Sequence, residues 1–173
     1  MTRDLPETIA CARLTLRPLQ AGDVSDIVAM ANNPKMLETT ATLPHPFGMA
    51  DADALIAQAA TSGAQAIYGM VDGTDRLMGV LMVRFKPDQP PEVGYWLGEP
   101  HWGHGYVAEA LNGLLAAVRQ LPDFAVVSAR VLQSNAASVR VLEKAGFAIV
   151  EHTFGVLERH RGKPLYVMQW RAG

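Results

Sequence analysis

The sequence predicts a single α/β domain of the mixed, α+β kind, with a mostly antiparallel central sheet and helices on both faces. Three observations lead there. Three strand-like runs, "AQAIYGMV", "RLMGVLMVRFK" and "EVGYWL", are joined by "DGTD" and "PDQPP", turn sequences short enough for antiparallel hairpins. Behind them the apolar period switches from helix to strand to helix before two last strands, as a mixed sheet requires. The 173 residues suit one domain, 1–173, with a sizeable core; no repeat, low-complexity tract or linker divides it.

Taken in order, "RLTLRPL" alternates, with Leu14 and Leu16 on one face and Arg13, Thr15 and Arg17 on the other, the pattern of a half-buried strand. Asp23 reads as an N-cap, with Asp26 three residues on in the manner of a capping box and Val24, Ile27, Val28 and Ala31 at helical spacing up to "NNPK". "TLPHPFG" is a proline-rich covering loop, and a second helix runs from Asp51 through Leu55, Ile56 and Ala59 to near Gly63. The three hairpin strands follow. Val107, Leu111, Leu114, Leu115 and Val118 then form one helical stripe, and "FAVVSARVL" reads as a buried strand. "SNAASVRVLEKAGF" is a loop and a helix stopped at Gly146; "AIVEHTFGVL" and "PLYVMQW" close the chain as strands around "RHRGK".

Composition narrows the function classes. Apolar residues make 49% and charged residues 18% of the chain, as in soluble globular proteins. A net charge of -2 gives no general attraction to nucleic acid or anionic lipid, so neither is an expected partner. No apolar run resembles a signal peptide or a membrane span, which makes a cytoplasmic location the expectation. The lone Cys11 reads as a small buried apolar residue, and His101 and His104 lack a third ligand at metal spacing, so no metal site is expected.

The stretch "GYWLGEPHWGHGYVAEAL" carries the chemistry. A strand that runs through glycines into a helix N-terminus presents unpaired N–H groups and the positive end of the helix dipole. Gly103 and Gly105 have no side chains to keep a ligand away, and together these features favour a pyrophosphate. The other reading is a tight connection and no more. Gly103, Gly105 and Ala108 also fit the G-x-G-x-x-A spacing of dinucleotide folds, but hairpins precede the loop and no acidic residue ends "FAVVSARVL".

"WGHGYVAEAL" followed by "SNAASVRVLEKAGF" resembles the acetyl-coenzyme A binding segments of the GNAT superfamily of N-acetyltransferases, in particular the Rim-type ribosomal-protein N-terminal branch. The likeness is densest from about residue 92 to 170, and Val107 stands where most members carry Gly or Ala. It implies a GNAT-like fold in which a central strand pair splays apart at a bulge, here near Gly94, so that the pantetheine arm pairs with the freed backbone of Tyr95, Trp96 and Leu97. It implies that Gly103, His104, Gly105, Tyr106, Val107 and Ala108 surround the pyrophosphate, that Asn135 bonds the arm, and that Ser138 faces the coenzyme's sulfur. Asn135 and Ser138 equally suit the start of a helix.

The implied activity is acetyl transfer from acetyl-coenzyme A, as cosubstrate, to an amine by direct attack on the thioester. An ammonium cannot attack, so a base is needed. By the resemblance Glu158 takes that role, with Glu92 as second candidate; Ser138 is the candidate acid for the departing thiolate. The acceptor, whether a small molecule or a protein N-terminus, is not written in the sequence, and a monomer and a homodimer both suit it. A non-catalytic acyl-coenzyme A binding or sensing module is the alternative.

Overall fold

The computed structural model describes residues 4–173, except for the side chain of Glu158. Among these residues eight strands form one sheet in the order β1-β2-β3-β4-β5-β6-β8-β7. They are β1 (Ile9–Ala10), β2 (Thr15–Pro18), β3 (Gln65–Val71), β4 (Leu77–Arg84), β5 (Glu92–Leu97), β6 (Val126–Leu132), β7 (Ala148–Phe154) and β8 (Pro164–Arg171). Every pairing is antiparallel except β5 with β6. The hairpins β3–β4 and β4–β5 form where the turn sequences place them. The two-residue β1, too short for a periodic signal, is the strand that the sequence does not announce.

Four α-helices, α1 (Val24–Ala31), α2 (Met49–Thr61), α3 (Tyr106–Val118) and α4 (Ala136–Lys144), cover the two faces. Alternation along β4 assigns the layers: Leu81 and Val83 enter a core with Leu111, Leu114 and Val118 of α3 and Leu142 of α4. Val80 and Met82 belong to a second core with Ile27 and Met30 of α1 and Ala52 of α2. At roughly 1.5–3 kcal/mol per fully buried aliphatic or aromatic side chain, these two stripes are the main force holding the helices to the sheet.

Three local expectations are corrected. Arg17, expected on the open face of its strand, is buried, because Nη1 and Nη2 donate to both carboxylate oxygens of Asp23, at 2.9 and 3.0 Å, and Nε to Asp75 at 2.8 Å. That demand takes Asp23 away from capping α1; the carboxylate instead accepts the Gln20 N–H at 2.7 Å, and Asp26 pairs with Arg76. Burial alone would raise the Asp23 pKa, but the Arg17 and Gln20 hydrogen bonds outweigh it and hold the carboxyl below its usual value. The start of α2 also lies earlier than expected, at Met49, since Asp51 accepts the Gly48 N–H at 2.8 Å and so caps from inside the first turn.

Cys11 is half-buried, its thiol pushed up first by burial and then by the charge of Glu109. No helix among the described residues is long and apolar enough to cross a membrane.

Candidate active site

The parallel pair β5–β6 is where the sheet opens. It holds only at Glu92↔Ser128 and Val93↔Ala129, after which β6 continues along β8 while β5 continues along β4. The strands therefore part at Gly94. The β4–β5 register is uninterrupted there, so the expected bulge is absent and the parting comes from the divergence of β6. Arg84 fills the space over Gly94; a Cβ would lie 3.1 Å from its Nη1.

The antiparallel ladder decides which backbone groups face the gap. Gly98 N–H donates to Met78 O, so alternate residues of β5 turn their polar groups to β4 and those between turn them away. Tyr95 and Leu97 thus point into the parting, and Leu97 O is taken by Trp102 Nε1 at 2.7 Å. Trp96 has its backbone in the β4 ladder and its ring in the core beneath α1 and α2.

Beyond β5 the chain reaches the glycine loop. Gly103 and Gly105 have φ of 81° and 78°, the left-handed region that favours glycine, and Gly105 is the residue before the first turn of α3. A Cβ on Gly103 would meet nothing within 4 Å, and one on Gly105 only Arg13 Nη2 at 3.6 Å. Side chains therefore leave room around both glycines, beside the first turn of α3. Val107 packs into the core on the α3 side, so its side chain does not stand in the cradle. His104 lies beside Tyr106, ring centroids 5.9 Å apart, and is exposed.

Arg13 belongs to this corner, and no local pattern announces it. Glu109 of α3 grips it twice, accepting from Nε at 2.7 Å and from the backbone N–H at 2.8 Å. The guanidinium lies 4.6 Å over the Tyr106 ring, and its terminal nitrogens make no hydrogen bond among the described residues. Burial works to raise the Glu109 pKa, but Arg13 more than offsets it and keeps the carboxyl low. An amphipathic reading of α3 could have flagged Glu109 as a lone acid beside the apolar stripe; its partner, 96 residues earlier, lay out of reach.

On the other side of the gap, Asn135 caps α4 through Oδ1, which accepts the Ser138 N–H at 3.2 Å, leaving the amide nitrogen without a protein partner among the described residues. The Ser138 hydroxyl meets the Tyr95 hydroxyl at 2.5 Å. Tyr95 and Ser138, singled out separately, are thus in contact. Glu92 opens the strand on the opposite face, where Arg84 and Lys86, both at 3.5 Å, and Arg130, at 3.6 Å, surround a carboxylate that is 13% exposed. Glu158 lies in a short 3-10 turn, Glu158–His160, and its side chain is outside the described residues. The next residue, Arg159, donates from Nη2 to Thr40 O at 3.1 Å and Leu43 O at 2.7 Å, tying this hairpin to the proline-rich loop.

Residues 13–148 match the Acetyltransferase (GNAT) domain family. The chain is 32% identical over 68 residues to the uncharacterized protein YkkB of Bacillus subtilis (strain 168), 39% of this chain and 40% of that one, so it spans about two fifths of the length of this curated relative. Mycobacterium smegmatis RimJ, solved with CoA-disulfide, has the same fold with a TM-score of 0.84 at 18% identity, covering 99% of this chain and 90% of its own. Spermidine N-acetyltransferase from Vibrio cholerae, solved with CoA and spermine, gives 0.77 at 19% identity, covering 92% and 96%. The family match runs from Arg13 at the glycine loop, through the parted strands and α4, to the start of β7, and on that evidence this chain belongs to the GNAT acetyltransferase family.

Proposed function

We propose that this protein transfers the acetyl group of acetyl-coenzyme A to an amine, a small molecule or a protein N-terminus. The observation that carries this reading is the parted edge of β5 leading directly into an open glycine cradle. An extended pantetheine arm would pair with the Tyr95 and Leu97 backbone as an added strand, with Asn135 as a further partner through its amide nitrogen. The pyrophosphate would rest on the N–H groups of Tyr106, Val107 and Ala108, with Gly103, His104 and Gly105 as the loop around it. The Arg13 guanidinium beside Gly105 adds two donors suited to a phosphate.

In the chemical step the ammonium loses a proton, the neutral amine attacks the thioester carbonyl, and the thiolate leaves. Glu158 is the proposed base. Glu92, surrounded by Arg84, Lys86 and Arg130 on the face of β5 away from Tyr95 and Ser138, is the second candidate. Ser138 is the proposed acid. A peptide N–H of the parted strand would hold the negative charge that develops on the carbonyl oxygen.

The test is an acetyl-transfer screen over polyamines, amino acids, N-terminal peptides and aminoglycosides, beside thermal melts with acetyl-coenzyme A or NADH. Transfer to one amine class and a rise in Tm with acetyl-coenzyme A alone are expected. Stabilisation by NADH instead would reassign the cradle. Tight coenzyme binding without transfer to any amine would leave a non-catalytic acyl-coenzyme A binding module.

A further inference from the structure

Tyr95 and Ser138 come from different elements, β5 and α4, and among the described residues their hydroxyls form the side-chain hydrogen bond that joins those elements. The Tyr95 ring packs against the core under α3, and the Ser138 backbone is fixed by the Asn135 cap, so both partners are anchored. A hydroxyl has one proton to donate, and the more acidic partner is the better donor. A phenol ionises near a pKa of about 10, whereas a serine that gives up its proton becomes an alkoxide far less stable than that. Either hydroxyl can donate in this contact, and acidity favours the arrangement in which Tyr95 donates and Ser138 Oγ accepts. The serine proton is then turned out of the pair.

We infer that Tyr95 is a positioning residue for the leaving group: its hydroxyl fixes Ser138, aims the serine proton at the coenzyme's sulfur, and replaces that proton as it departs. The inference rests on the acetyl-transfer reading above and on Ser138 facing the sulfur. As the amine nitrogen bonds to the carbonyl carbon, the carbon–sulfur bond breaks with its electron pair going to sulfur. The Ser138 proton passes to sulfur and the Tyr95 proton to Ser138 Oγ. Protons shed by the amine leave through the base to water, and water returns one to the tyrosinate before the next turnover. This removes the difficulty of a lone serine as acid, since no alkoxide is formed.

The experiment measures kcat and KM for wild type, Tyr95→Phe, Ser138→Ala and the double variant, with acetyl-coenzyme A and the best amine of the screen. Tyr95→Phe keeps the ring and is expected to lower kcat about tenfold, below the usual range for general acids because a thiolate needs little help. The KM for acetyl-coenzyme A should stay within about twofold. Ser138→Ala should lose a similar amount, and the double variant no more than Ser138→Ala alone, since both act as one unit. The Tyr95→Phe deficit should narrow above about pH 8.5, where the free thiolate is stable without a proton.

Three outcomes overturn the inference: Tyr95→Phe turning over like wild type while Ser138→Ala is impaired, Tyr95→Phe losing as much in the Ser138→Ala background as alone, or Tyr95→Phe losing coenzyme affinity in step with kcat. Wild-type rates in all variants would remove Ser138 from the sulfur, and the inference with it, while acetyl transfer stands. Failure of the wild type to transfer at all would instead bring down the proposed function.

Discussion

The glycine-loop end of the proposed site and the hairpin that carries the proposed base are assembled in opposite ways. Around the parting of β5 and β6 most of the groups offered to a ligand are backbone N–H and C=O groups, and Tyr95, Leu97, Gly103, Gly105 and Ala108 follow one another within a short stretch of chain. At the hairpin, the side chain of Arg159 reaches across 119 and 116 residues to the backbone carbonyls of Thr40 and Leu43. A ligand part that never varies, such as a pyrophosphate and its arm, can be held by backbone, whose shape a short glycine-bearing segment fixes. The part of a site that must distinguish one amine from another needs side chains drawn from loops that are free to differ.

The sharpest way to break that comparison is Gly105→Asp. It places a carboxylate at the cradle on a residue with φ of 78°, and acetyl-coenzyme A affinity should fall on the order of several hundredfold in calorimetry. The melt should remain cooperative, because nothing but Arg13 lies within 4 Å of the new Cβ. An unchanged Kd would remove the loop from the site.

Next in size is the proposed base. Glu158→Gln should lower kcat about a hundredfold near neutral pH with the coenzyme Kd unchanged. The sign of the pH effect follows from the acceptor: as pH rises more of the amine is already neutral, so the variant gains more than wild type and the deficit shrinks. Glu92→Gln, measured alongside, should show no such rescue, since its carboxylate is engaged by three cations. Equal rates for wild type and both variants over the whole range would mean that the proton leaves directly to water.

Two arginines then separate the ends. Arg13→Ala should weaken acetyl-coenzyme A binding about tenfold, a loss that fades with added salt, yet leave turnover of acetyl-pantetheine, which has no phosphates, unaltered. Arg159→Ala should do the reverse, raising the KM of the amine about tenfold at constant coenzyme Kd, because the loop carbonyls of Thr40 and Leu43 lose their donor. If either arginine moved both constants together, the two ends would not be separable.

The smallest effect concerns His160, buried beside the same hairpin, whose pKa is lowered from 6.5 by burial and then by the charges of Lys163 and Arg159. The unfolded chain accepts a proton near pH 6.5 that the folded chain refuses. Its contribution is therefore whole above that pH and is lost as pH falls through 6.5 towards the lower folded value. Denaturant midpoints between about pH 8 and about pH 5 should show a shallow decline that His160→Gln flattens, with no change in the coenzyme's affinity for the far end.

Much of this molecule could be read before its structure. The alternation of Leu14 and Leu16, the stripe of Leu111, Leu114 and Leu115, and the turns at 72–75 and 87–91 all lie where local periodicity puts them, because strand and helix faces are set by neighbours in sequence. The glycine loop was equally legible, since a positive φ at Gly103 and Gly105 is a local demand. What misled was the assumption that polar residues face water. Arg17 is buried because two carboxylates meet it, and Asp23 leaves its expected cap because that guanidinium is the stronger partner.

By itself the sequence determined the order of the elements from β2 onward, most of their apolar faces, and where glycines let the backbone turn into α3. Only the tertiary structure decided that Arg13 stands beside Gly105, that Tyr95 touches Ser138, that three cations gather on Glu92, and that Arg159 closes over the proline-rich loop. These pairs leave no periodic mark, because neither partner constrains the backbone near the other in sequence. Their meeting is fixed by the order in which the strands pair, and above all by the divergence of β6 from β5, which brings α4 opposite a freed strand edge.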